Sequence, residues 1–68
     1  MHSYRCYFLD AADHVATTEF IACATDVQAQ VRADGLLAAS DYPGIEVWDH
    51  GRRVYRARKV DAAGEPVA

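Results

Sequence analysis

Cys6, Cys23, His2, His14 and His50 are the side chains in this sequence best suited to soft-metal or nucleophilic chemistry. They do not fall into the close paired spacings of a structural zinc site. A nucleophile pair of Cys23 with His14 would need an orienting third group and an oxyanion pocket, and no motif marks either. No glycine-rich phosphate loop is present. A chain of 68 residues also has little volume for a pocket of several hundred Å³. No catalytic residue, cofactor or metal site is expected, and the chain reads as non-enzymatic.

The charge distribution is more uneven than the chemistry. Residues 1–51 hold Arg5 and Arg32 against eight acids, and five of the seven basic residues fall within Arg52 to Lys59. Tyr55 lies among those bases, and Trp48 lies across the turn from them. A basic strand with interleaved aromatics could stack on and neutralise single-stranded nucleic acid, through Trp48, Arg53, Tyr55, Arg56 and Arg58. The same composition suits an acidic protein partner or the acidic half of a second copy. It also suits a solvated edge strand, charged to discourage unwanted pairing. The net charge of -3 argues against a general nucleic-acid binder.

These residues need elements to position them. Thr25 to Ser40 reads as the one helix. Thr25 and Gln28 have the spacing of a capping box, with the Thr25 hydroxyl accepting from the Gln28 amide and Gln28 reaching back to the Thr25 amide. Asp26 suits the positive end of the helix dipole, and Pro43 disfavours helical angles at Tyr42. Ala29, Ala33, Leu36 and Leu37 form one apolar arc, and Val27, Val31 and Ala38 a second, roughly opposite. Two arcs point to two neighbours, the chain's own sheet and a second copy; scattered apolar exposure is the alternative. Gly35 inside the helix means close packing or a loose turn.

Tyr4 to Leu9 and Val15 to Ala22 read as strands joined through Asp10–His14, where Asp10 and Asp13 can bond local amides. Neither face of the first strand is clearly polar, which implies that both are partly covered. A turn near Ala12 places Cys6 opposite about Thr18, too far from Cys23 for a disulfide. Ile45–Trp48 and Arg53 to Lys59 form a second hairpin about His50-Gly51, with Gly51 at positive φ. That pairing sets Val47 against Val54, Trp48 against Arg53 and Glu46 against Tyr55, with Trp48 diagonal to Tyr55. The expected fold is α+β, in the order ββαββ: a four-stranded sheet with one helix packed on one face. Residues 1–60 form a single domain, and residues 61–68 a flexible C-terminal tail.

Tyr4-Arg5-Cys6-Tyr7-Phe8-Leu9-Asp10, His14-Val15, Cys23-Ala24-Thr25-Asp26 and Ile45-Glu46-Val47-Trp48-Asp49 with Arg52-Arg53-Val54 resemble short uncharacterised single-domain proteins from soil and plant-associated proteobacteria. That resemblance implies a compact stand-alone domain and carries no activity. The first hairpin and helix also loosely resemble the partner-binding half of HicB-type antitoxins, which implies a protein partner. No functional residue is carried over from either.

A domain this small is marginal alone, and a second subunit is one remedy. No segment approaches the roughly 20 apolar residues of a membrane span, and Met1–Arg5 lacks a signal peptide's apolar run. The expectation is a cytoplasmic bacterial interaction module with reduced thiols. It associates with itself, as a homodimer, through a sheet face or edge.

Overall fold

The computed structural model describes residues 1–59, so the expected C-terminal tail lies outside the described residues. The elements run β1 (His2–Leu9), β2 (Val15–Cys23), α1 (Asp26–Ala39), β3 (Gly44–Asp49) and β4 (Arg52–Arg58). The fold is α+β, with four antiparallel-paired strands in one sheet and one helix against it. The strand order is β2-β1-β3-β4. β1 therefore sits inside the sheet, and the chain crosses over it through α1 to reach β3. No helix among the described residues is long and apolar enough to cross a membrane.

The helix starts where the sequence places it. Thr25 is extended, and its hydroxyl accepts from the Gln28 amide at 3.2 Å. The return arm of the box differs by one residue: Gln28 Oε1 accepts from the Ala24 amide at 2.9 Å. At the other end the Ser40 amide donates to the Leu37 carbonyl at 3.1 Å, before Pro43. Ala29, Ala33 and Leu37 face the sheet and are buried, with Leu36 packed at their margin. Tyr4, Cys6, Phe8, Ile21, Cys23, Ile45 and Val47 complete the core from the strands. Small alanines at the contact let the helix lie close to the sheet.

Three polar ties add to this packing. Asp26 accepts from the Tyr4 hydroxyl at 2.8 Å and from Arg52 at 3.1 Å. Asp34 accepts from the Tyr55 hydroxyl at 2.7 Å. Past the end of α1, the Ser40 carbonyl accepts from the Lys59 ammonium. Each tie reaches β4, the residue after it, or buried Tyr4 in β1, and none reaches β2.

Several registers differ from expectation. A bulge between Val47 and Trp48 in the β3–β4 ladder leaves Val54 unpaired, so Val47 faces Tyr55 and Glu46 faces Arg56, while Trp48 does face Arg53. Cys6 faces Glu19 rather than Thr18, and Cys23 faces His2; both cysteines are free. The left-handed residue of the second turn is His50, φ 55, and not Gly51. Asp10 does bond the Ala12 and His14 amides, each at 2.9 Å. Asp13 instead turns its carboxylate to Arg56 and Arg58.

Gly35 is exposed, and a Cβ built on it would meet nothing within 4 Å. Close packing therefore does not explain it, and alanine there should stabilise. We expect Gly35→Ala to raise unfolding free energy by about 0.5–1 kcal/mol. Ile45→Ala, in the buried core, should lower it by about 2–5 kcal/mol. Urea titration followed by circular dichroism checks both; a loss of stability in Gly35→Ala would contradict this account of the helix.

Candidate functional site

The sheet has two unlike faces. The helix covers one, and no described element covers the other. Alternation along the strands and the paired registers place side chains on the open face in rows across the sheet. One row reads Phe20, Arg5, Trp48, Arg53 from β2 to β4. The next reads Thr18, Tyr7, Glu46, Arg56. Leu9, Gly44 and Arg58 follow; a Cβ on Gly44 would lie 3.5 Å from Leu9 Cβ and 3.6 Å from Arg58 Cγ. Asp13, reaching from the β1–β2 turn to Arg56 at 3.2 Å and to Arg58, closes that end. Leu9 is 2% exposed there although it lies on the open side.

Polar contacts organise this surface. The Trp48 indole Nε1–H donates to Glu46 Oε1 at 3.2 Å, tying the ring back along β3. The other Glu46 oxygen lies 3.5 Å from Arg53 and 3.6 Å from Arg56. The Arg5 guanidinium lies 5.9 Å from the Phe20 ring centre, within cation–π range. Phe20 is 66% exposed, while Tyr7 and Trp48 are half-buried. On the open face of β1, Arg5 is exposed, Tyr7 half-buried and Leu9 buried, so burial there is partial and comes from neighbouring strands and the β1–β2 turn.

Of the residues singled out in the sequence, Trp48, Arg53, Arg56 and Arg58 share the open face. Tyr55 does not join them. The bulge at Val54 turns Tyr55 to the helix side, where it bonds Asp34. Arg5, Tyr7 and Phe20 were missed; they lie on the other hairpin, and only the strand order brings them beside Trp48.

A second feature lies along β2, an edge strand. Between it and α1 runs an apolar cleft of about 390 Å³, lined by Met1 from the start of the chain, Ala22 and Cys23 of β2, and Val27, Gln28, Val31 and Arg32 of α1. It exceeds what so short a chain was expected to form. Val27 and Val31, the second apolar arc of the helix, are each 67% exposed at its rim. Glu19 and Arg32 make no ion pair among the described residues.

The thiols and histidines do not assemble. Burial first, then the nearby Glu19 carboxylate, pushes the Cys6 thiol up to about 11, away from the nucleophilic form. Among the described residues no three His, Cys, Asp or Glu side chains group as metal ligands. No family model, no curated protein and no solved structure matches the chain.

The Tyr4–Asp26–Arg52 cluster contributes pH dependence to the fold. Arg52's hydrogen bonds, then Tyr4's, hold the Asp26 carboxyl below the ordinary range. Its stabilisation is therefore present above the free carboxyl value of about 4 and fades as pH falls through the lower native one. Tyr4 has the opposite sign: burial first, then the bond to Asp26, pushes its phenol up to about 12. That contribution is complete below the free phenol value near 10 and is lost as pH rises through the native one. We expect the stability difference between wild type and Asp26→Asn to be largest near neutral pH and to shrink below about pH 4. Urea midpoints across the pH range measure it; a difference independent of pH would contradict the ionic role of Asp26.

Proposed function

We propose that this chain is a small non-enzymatic interaction module that forms a homodimer through the β2 edge and the flank of α1 beside it. The observation that carries this reading is the contrast between the sheet's two edges. β4 displays Arg52, Arg53, Arg56 and Arg58, the kind of charge that blunts an edge. β2 runs nine residues with no Pro, Lys or Arg and one acid, Glu19. The apolar cleft with Val27 and Val31 lies directly beside that unguarded edge.

An antiparallel β2–β2 pairing about a two-fold axis normal to the sheet would continue it to eight strands. Both helices would then sit on one side, with Val27 and Val31 of each copy meeting over the seam. The same axis offers Glu19 of one copy to Arg32 of the other, giving two unpaired groups complementary partners. Two free cysteines fit a reducing, cytoplasmic setting.

Size-exclusion chromatography with light scattering tests the reading. Wild type should elute at twice the 7.5 kDa chain mass at micromolar concentration. Val31→Arg should elute as a monomer with an unchanged circular dichroism spectrum, because Val31 is exposed and outside the core. Arg53→Ala, on the far edge, should stay dimeric. A wild type at 7.5 kDa, or a dimeric Val31→Arg, would refute the β2 seam.

A further inference from the structure

We infer that the open sheet face binds single-stranded nucleic acid, with Phe20, Trp48 and Tyr7 as stacking surfaces for bases and Arg5 and Arg53 as phosphate contacts. The site lies within one copy and does not depend on the β2 seam.

The row Phe20–Arg5–Trp48–Arg53 alternates ring and guanidinium across all four strands. Adjacent strands lie about 4.8 Å apart, so the two rings stand roughly 10 Å apart with a cation between them. Tyr7 faces Glu46 across β1 and β3, which makes it a diagonal neighbour of Trp48, roughly 7–8 Å away. Rings on the two central strands of a four-stranded sheet, with no element above them, form a platform on which unpaired bases can stack. A duplex hides its base faces and offers such a platform only its backbone.

Charge chooses among occupants. Four arginines of this face stand against Glu46 and Asp13, so the face is cationic on a chain whose net charge is -3. Two such faces repel each other, which disfavours a second copy here. Arg5 makes no ion pair among the described residues; its guanidinium rests by the Phe20 ring and still has N–H donors to offer a phosphate. An acidic peptide would answer the cations but leave the rings without stacking partners. Glu46 restrains the site by holding Arg53, Arg56 and the Trp48 N–H.

Trp48 is the only tryptophan, so its fluorescence reports directly on the site. Oligo(U) and oligo(dT) should quench it at low salt and raise the anisotropy of a labelled strand. The tighter of the two identifies RNA or DNA as the natural form. Affinity should fall with salt, with a log–log slope of roughly -1 to -2 for two or three phosphate contacts. Phe20→Ala should weaken binding about tenfold or more. Arg5→Ala should weaken it and flatten the salt slope, whereas Glu46→Gln should tighten it. Phe20 and Arg5 are exposed, so circular dichroism should show both variants folded. Monomeric Val31→Arg should bind as wild type does, which separates failure of this site from failure of the dimer. Absence of quenching at low salt would overturn the inference, as would equal binding of a duplex or heparin. Indifference to Phe20→Ala, or tighter binding of a polyglutamate peptide, would overturn it too.

Discussion

One helix about 10 Å across lies on a sheet whose outer strands stand about 14 Å apart, and it cannot shield the whole of even one face. Where it lies decides what stays bare. Ala29 and Ala33 bring it close to the sheet, and the bonds from Asp26, Asp34 and Ser40 anchor it toward β1 and β4. Nothing of that kind draws it toward β2. Glu19 and Thr17, on the helix side of β2 but in its first half, remain exposed. The apolar cleft runs along that strand, beside Cys23.

The two uncovered regions differ in chemistry. The seam between α1 and β2 is aliphatic, with Val27, Val31 and Ala22. The open face is aromatic and cationic, with its charges arranged around Glu46 and Asp13. Apolar burial suits the first and is sequence-blind; planar stacking and phosphate contact suit the second. Both surfaces can be occupied at once, because they lie on different sides of the sheet. Joined at β2, two copies would set their rows of rings and guanidinium groups in one continuous sheet, Phe20 beside the junction.

Much of this architecture was legible in the residues. Thr25, Gln28 and Pro43 bracket the helix, and the period of Ala29, Ala33 and Leu37 picks its buried side. These signals are local and do not depend on the order of the strands. The faces of the candidate residues on β4 were legible only in part, for a physical reason. Trp48 and Arg53 pair as expected, but the extra residue at Val54 reverses the alternation beyond it, taking Tyr55 off that face and bringing Arg56 and Arg58 onto it. No residue type marks that bulge. His50 at positive φ was equally hidden, because the neighbouring Gly51 is the conventional occupant of such a position. Arg5, Tyr7 and Phe20 could not be joined to Trp48 without knowing that β1 lies beside β3, which is a property of the whole sheet.

The central claim is that the fold encloses one set of aromatic side chains and leaves another bare. Solvent paramagnetic relaxation in NMR, with a soluble gadolinium chelate, measures this directly. The account predicts strong broadening at Phe20, Tyr7 and Trp48 and sharp resonances for Tyr4 and Phe8, which lie under the helix. Equal protection of the two sets would contradict it.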